Sequence, residues 1–149
     1  RMNIKNKFRH RSASRLACIQ ILYNSIILNK DINQIIEGYN LSFMDDLKKL
    51  FEIETMDEDY FFNLINEIKL SYKDIKNIII ENLNSEWTYE RINPIDKSVL
   101  IVGISEIRLN NLTPKKSILS EYIEFGYQLG SDSKFINKVL DVISHKNKV

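Results

Sequence analysis

Apolar side chains recur every three or four residues over most of this chain, a spacing that is typical of amphipathic α-helices. A strong stripe follows the acidic residues 57–59 and contains Phe61, Leu64, Ile65, Ile68, Tyr72, Ile75 and Ile79. The sequence has only 4 Gly and 2 Pro, which is too few for the many tight turns of a β-sandwich or β-barrel. The sequence therefore predicts an all-α fold, a bundle of about six or seven helices.

Capping signals predict where the first helices begin. The first helix is predicted to start near Ser12 or Ser14, because either hydroxyl can accept from an unpaired backbone N–H. A second helix is predicted over residues 32–39, and the acidic segment 41–55 is left open between a short helix and a loop. The predicted apolar face of the first helix consists of Leu16, Ile19, Tyr23, Ile26 and Ile27.

Prolines mark the starts of two later helices. Asn93-Pro94 and Thr113-Pro114 each predict an N-cap followed by proline at the first helical position. Gly130 is predicted to end the second of these helices, and Asp132 or Ser131 is predicted to cap the last helix.

Charge is distributed unevenly along the chain, although the net charge is only +1. Residues 1–30 contain seven Lys or Arg and no acid, whereas residues 31–67 contain ten acids and two lysines. Such asymmetry can attract a charged partner even when the total nearly cancels.

The sequence lacks the residue patterns of catalytic and metal sites. A zinc site needs about four suitably spaced ligands, whereas Cys18 is the one cysteine and His10 and His145 are far apart in the chain. The glycines stand alone, so the sequence contains no phosphate-binding loop. We therefore predict no catalytic residues, no cofactor and no metal, and we expect Cys18 to be a small buried residue.

The sequence also argues against a membrane or secreted protein. No run approaches the ~18 apolar residues needed to span a bilayer, and the apolar stretch from Leu16 is interrupted by Gln20 and Asn24. A single cysteine is consistent with a reducing compartment. We expect a cytoplasmic location and no contact with a membrane.

Two segments resemble motifs of the NusB family of transcription antitermination factors. Residues 9–23, RHRSASRLACIQILY, resemble the arginine-rich opening of that family. Residues 130–141, GSDSKFINKVLD, are similar to its closing K-F-V-N-G-V-L-D. Further matches follow in the family's order between these segments: Trp87, Arg91, Asp96, Glu106, Pro114, Glu121 and Glu124.

The resemblance implies a single domain of two helical subdomains, about residues 1–82 and about residues 83–149. It also implies binding of boxA, a short single-stranded element of ribosomal RNA transcripts, together with the small-subunit ribosomal protein that doubles as NusE. The pair would help RNA polymerase to resist termination and would support ribosomal RNA synthesis.

Other interpretations stay open. Ribosomal RNA cytosine methyltransferases carry a NusB-like domain, so the chain would be part of such an enzyme if a cofactor-binding domain followed Val149. A plain protein-interaction bundle with an incidental basic arm is a third interpretation. The sequence leaves the oligomeric state open, a homodimer included.

The resemblance implies RNA-binding residues in both end motifs. Arg9, Arg11 and Arg15 would contact phosphates, although a solvated basic N-terminus explains them equally well. Phe135 would stack on a base, or belong to the core stripe that continues to Val139. We expect Arg11 and Phe135 to share one RNA platform. The predicted set is Lys7, Arg9, His10, Arg11, Arg15, Tyr23, Asp132, Lys134, Phe135, Asn137 and Lys138.

The remaining members of this set have less direct predicted roles. His10 is a candidate for stacking or hydrogen bonding with a base. Asp132 and Asn137 are candidates for reading base edges, because unpaired RNA exposes these edges. Tyr23 is expected to lean toward the core, with its hydroxyl at the surface.

Asp96 and Arg91 are the predicted contacts for the NusE partner. Asp96 can equally be an acid that complements the dipole at a helix start. Trp87 is assigned either to the core or to a protein interface.

The chain departs from the family motifs at several positions. Residues 12–14 separate Arg11 from Arg15 and thin the arginine cluster, Lys138 replaces the usual Gly, and Ser120 replaces the usual Asn. Lys5, Lys7 and Lys138 are predicted to compensate for the thinner cluster.

Overall fold

The computed structural model describes residues 4–38, 49, 56–83, 85–109, 114–130 and 133–145, with the side chains of 4–9, 133 and 144 left out. This part of the chain contains six α-helices of at least seven residues, one 3₁₀ turn and no strand. The all-α prediction is confirmed. The helices are α1 (Ile4–Leu28), α2 (Ile32–Gly38), α3 (Glu58–Glu81), α4 (Pro94–Leu109), α5 (Lys115–Gln128) and α6 (Ser133–His145), and the 3₁₀ turn is Tyr89–Arg91.

The chain forms two compact units, Arg1–Asn66 and Glu67–Val149, so the boundary falls within α3. We call them unit 1 and unit 2. In the described part of both units, no helix is long and apolar enough to cross a membrane, and no group of three or more His, Cys, Asp or Glu is arranged to hold a metal ion.

Unit 1 is built around α1, which contacts α2 and the start of α3. The prediction that α1 begins near Ser12 or Ser14 is wrong, because the helix already includes Ile4. Ser14 lies inside the helix, and its hydroxyl donates to the carbonyls of His10 at 2.9 Å and of Asp57 at 2.6 Å. This side chain therefore binds the carbonyl one turn earlier and a second chain segment instead of capping a terminus.

The predicted apolar face of α1 is only partly correct. Ile19 is buried, but Leu16, Tyr23 and Ile26 are half-buried and Ile27 is exposed. The core is filled instead by small and branched residues that are adjacent in sequence to the predicted ones. Because apolar residues lie on several sides of this helix, periodicity alone does not identify the buried face. Among the side chains of α1 from residue 10 onward, the buried apolar ones are Ala13, Ala17, Cys18, Ile19, Ile21 and Leu22.

Cys18 is fully buried, as predicted, and its thiol donates to the carbonyl of Phe61 at 3.8 Å. The start of α3 is fixed by Asp57, whose Oδ1 accepts from the N–H of Tyr60 at 3.0 Å. Except for the half-buried Tyr72, all residues of the stripe predicted for this helix are buried. The predicted second helix ends at Gly38, and Tyr39 and residues 41–55 other than Lys49 lie outside the described residues.

Unit 2 contains the end of α3, the 3₁₀ turn and a packed group of three helices, in which α4, α5 and α6 each contact the other two. The predicted cap of α4 is confirmed, because Asn93 Oδ1 accepts from the N–H of Ile95 at 2.8 Å and the helix begins at Pro94. Pro114 is placed differently from the prediction. It is the N-cap of α5, and its carbonyl accepts from the N–H of Ser117 at 3.0 Å. Thr113 lies outside the described residues.

A buried polar pair lies in the core of unit 2. The Tyr122 hydroxyl donates to Glu106 Oε1 at 2.7 Å, and both residues are fully buried. Gly103 allows this approach of α4 and α5, since a Cβ at that position would lie 3.2 Å from Tyr122 Cγ. Gly130 follows α5 with φ +77°, a left-handed conformation that suits glycine at a helix end. The predicted end of this helix is confirmed.

Candidate nucleic-acid interface

In unit 1, Arg11 and Arg15 of α1 contact residues of their own fold. Arg11 Nε lies 3.8 Å from Asp57 Oδ2, and the Arg11 guanidinium lies 4.8 Å from the centre of the Tyr60 ring. The Arg15 guanidinium lies over the same ring at 5.5 Å, and only 5% of Arg15 is exposed. Because Tyr60 is contacted by both cations, these side chains hold the start of α3 against α1. Arg11 retains a partly exposed side chain, whereas Arg15 has little surface left for a ligand.

The other candidates of unit 1 are less accessible or lie outside the described side chains. His10 is 8% exposed, so its ring offers little area to a base. Tyr23 is half-buried, in keeping with the expected lean toward the core. Lys7 and Arg9 belong to α1, but their side chains, like that of Lys5, are outside the described part.

In unit 2, α6 presents polar and cationic residues to solvent. Lys134, Asn137 and Lys138 are exposed, while Ile136, Val139, Leu140 and Ile143 are buried. Neither Lys134 nor Lys138 forms an ion pair with a residue that the structure describes. At the other end of the helix, Asp141 Oδ1 lies 3.5 Å from His145 Nδ1. The first half of α6 is therefore the cationic half. Asp132 lies outside the described residues.

Phe135 is a half-buried member of α6 and contacts Trp87. The two ring centres are 5.4 Å apart and the ring planes are inclined by 32°. Trp87 itself is 44% exposed, so of its two predicted assignments the core is excluded and the protein interface stays a prediction. A partly exposed aromatic pair in a segment with two exposed lysines has the composition of surfaces that bind single-stranded nucleic acids.

The 3₁₀ turn after Trp87 is anchored by Tyr89, which is buried. Lys76 Nζ and Lys97 Nζ lie 4.9 and 4.6 Å from the centre of its ring. Burial, and after it the neighbouring Tyr72, raise the pKa of the Tyr89 phenol far above its usual value, so this group stays neutral. Burial lowers the pKa of Lys97, Glu90 opposes that change and Lys76 adds to it. These contacts fix the position of the segment that carries Trp87.

The two predicted partner contacts differ in exposure. Arg91 is exposed at the end of the 3₁₀ turn. Asp96 lies in the first turn of α4 and is only 7% exposed. An acid at this position complements the positive end of the helix dipole, so Asp96 already has a role within the fold.

A family model settles the relationship that these motifs suggested. The model described as NusB family matches residues 12–145. The chain belongs to the NusB family.

Relatives of this NusB-family chain match it over nearly its whole length. Transcription antitermination protein NusB of Caulobacter vibrioides is 27% identical over 141 residues, which cover 93% of this chain and 95% of the relative. The NusB protein of Rickettsia typhi is 28% identical over 148 residues, covering 95% and 96%. A solved structure of T. maritima NusB is 25% identical, covers 91% of each chain and superposes with a TM-score of 0.72.

Membership assigns this chain to the transcription antitermination factors of the NusB type, which are non-enzymatic. The sequence did not predict two contacts of the candidate residues, namely those of Tyr60 with Arg11 and Arg15 and that of Trp87 with Phe135. Tyr60 was not considered, because it lies far from the arginines in sequence and carries no motif. Trp87 was recognised as a family match, but the sequence gives no measure of its exposure.

Proposed function

We propose that this chain binds single-stranded boxA RNA of ribosomal RNA transcripts, together with the small-subunit ribosomal protein that acts as NusE. Bound to the transcript, the pair would join the antitermination complex of RNA polymerase in the cytoplasm and support processive ribosomal RNA synthesis. The observation that carries the proposal is the first half of α6, where the exposed Lys134, Asn137 and Lys138 are close in sequence to the half-buried Phe135, in a chain that belongs to the NusB family.

Each side chain of this face has a role suited to an unpaired strand. The ammonium groups of Lys134 and Lys138 neutralise phosphates, and this sequence-independent attraction supplies much of the affinity for a nucleic acid. Phe135 stacks on a base, and the Asn137 amide can both donate to and accept from a base edge. The structure therefore supports a surface that combines charge, stacking and hydrogen bonding on one rigid helix.

The basic start of α1 contributes further phosphate contacts in this proposal. Lys7, Arg9 and Arg11 are the candidates, and Arg11 keeps 29% of its side chain exposed beside Asp57. Arg15 is a supporting residue, because it is buried over Tyr60. In this proposal, RNA affinity comes both from a few cations of α1 and from the lysines of α6. One of these lysines, Lys138, replaces the usual glycine of the family motif.

The ribosomal-protein partner is proposed to contact the surface around Arg91. Its exposed guanidinium is available to a carboxylate of the partner. Asp96 would take part through the small fraction of its surface that is exposed. Arg91→Ala should weaken partner binding at unchanged stability, and equal partner affinity in this variant would remove Arg91 from the interface.

The deciding experiment is a fluorescence anisotropy titration with labelled RNA. A boxA strand and a scrambled strand of the same composition are compared, each with and without the ribosomal protein. We expect preference for boxA, tighter binding with the partner, and a log affinity that falls with log salt by about 0.7 per neutralised phosphate. Equal affinity for both strands in the presence of the partner would overturn the proposal.

A further inference from the structure

Trp87 is a large aromatic residue that lies outside the hydrophobic core. It precedes the 3₁₀ turn, and 44% of its surface is accessible to solvent. Large aromatic side chains are normally well covered in folded proteins. Phe135, the ring that the family motif marks for base stacking, is more deeply buried than Trp87. Of the two contacting rings, Trp87 thus has the larger area available to a ligand.

Two lysines of α6 are close in sequence to Phe135. Helical spacing puts Lys138, three residues after Phe135, on the same side of α6, and Lys134 is the adjacent residue. Both lysines are exposed. Val142, seven residues after Phe135, continues this side and is 39% exposed. This side of α6 therefore combines the apolar Phe135 and Val142 with the ammonium group of Lys138.

This combination favours single-stranded RNA over a protein as the occupant. Every base has an apolar face that can stack on an aromatic ring, and every base is attached to a phosphate that attracts a lysine. The centre-to-centre distance of 5.4 Å and the inclination of 32° show that Phe135 does not cover Trp87 with a parallel ring. A base can therefore stack on the indole while its phosphate lies near Lys138.

We propose that Trp87 is a base-stacking residue that forms, together with Phe135, a two-ring platform for consecutive unpaired bases of RNA. The inference rests on the RNA-binding function proposed above and adds a residue to it. Trp87 receives a base face, Phe135 supports the indole and receives a neighbouring base, and Lys138 contacts the intervening phosphate.

The chain provides its own reporter for this contact. Trp87 is the single tryptophan among the 149 residues, so the indole emission comes from this side chain alone. Stacking of a base on the indole should quench that emission, in parallel with the rise in anisotropy of a labelled boxA strand. An RNA strand of equal length and charge that is abasic at the stacking positions should bind more weakly and leave the emission unchanged.

Substitutions of Trp87 distinguish a role in base stacking from a role in packing of the fold. Trp87→Ala should lower boxA affinity between about 5-fold and about 150-fold, the loss that one stacked base represents, while Trp87→Phe should retain most of it. Tyr127→Ala is the matched control, because Tyr127 is an aromatic residue of unit 2 that is 72% exposed and lies on α5. This control should bind boxA as the unchanged protein does. If Trp87→Ala does not fold, the quenching and Trp87→Phe still decide the question.

The results that would overturn the inference are distinct. Binding of boxA without quenching, and with equal affinity in Trp87→Ala, would refute the stacking role and leave the proposed function intact. Loss of ribosomal-protein binding in Trp87→Ala at unchanged RNA affinity would assign Trp87 to the protein interface instead. Absence of boxA binding by the unchanged protein, with the partner present, would refute both proposals.

Discussion

The two cationic segments of this chain are used in different ways, although both carry family motifs. On α1, Arg11 and Arg15 lie over the ring of Tyr60, and Arg15 is almost completely buried. On α6, Lys134 and Lys138 extend into solvent without an ion pair to any described residue. In the first segment, Arg11 and Arg15 hold the start of α3 against α1, whereas the lysines of the second segment are available to a ligand.

The difference follows from the chemistry of the two side chains. A guanidinium is planar, weakly hydrated and able to stack on an aromatic face, so it can be buried at a modest cost. An ammonium is compact and strongly hydrated, and it stays in water unless a partner replaces that water. Exposed lysines in a basic motif are therefore available to phosphates, whereas arginines that stack on a nearby tyrosine are partly used by the fold.

The largest effect is expected on RNA binding from α6. Replacing Lys134 and Lys138 together by Ala should reduce the slope of log affinity against log salt by about 1.4, because each neutralised phosphate contributes about 0.7. Near 0.1 M salt this corresponds to an affinity loss of about 25-fold. The double substitution of Lys115 and Lys116, two exposed lysines of α5, removes the same charge and is the control. Equal losses in both double variants would show that only net charge matters.

Features that depend on neighbouring residues could be predicted from the sequence, whereas features that depend on distant contacts could not. The stripe of α3 and the Asn93-Pro94 start of α4 were predicted correctly, because a continuous apolar face and a local cap are recorded in neighbouring residues. The start of α1 was missed, since Ser14 resembles a cap in sequence but binds Asp57 in space. The site residues were identified by type, whereas their exposure depends on distant partners such as Tyr60.

Arg15 should give the largest effect on stability among the cations compared. Arg15→Ala removes a buried cation from the Tyr60 ring and the packing of its aliphatic stem, and should lower the free energy of unfolding by roughly 1.5 kcal/mol. Arg15→Met keeps most of the stem and should recover part of the loss. Urea denaturation measures both, with Lys138→Ala as a control that changes stability by less than about 0.5 kcal/mol. A stable Arg15→Ala variant with weakened RNA binding would reverse the roles assigned to the two segments.

Asp57 tests whether the arginines or the helix cap hold the start of α3. Asp57→Ala removes both the cap of Tyr60 N–H and the ion pair with Arg11, and should cost about 1 kcal/mol of unfolding free energy. Asp57→Asn keeps the cap, since asparagine caps about as well as aspartate, and removes only the charge. Thermal unfolding should place the Asn variant close to the unchanged protein. Similar losses in both variants would make the ion pair the more important contact.

Arg11 is intermediate between the two segments, and its substitution should have the smallest effect on stability. Its ion pair with Asp57 is 3.8 Å long and the side chains are 29% and 30% exposed, so solvent screens much of the attraction. Arg11→Ala should therefore lower the free energy of unfolding by only about 0.5 kcal/mol. Because the Debye length falls to about 3 Å at 1 M salt, this difference should shrink at high salt, whereas the loss in Arg15→Ala should persist. A salt-independent loss in Arg11→Ala would instead show that stacking on Tyr60 holds Arg11, and would place this residue with Arg15 among the cations that the fold itself uses.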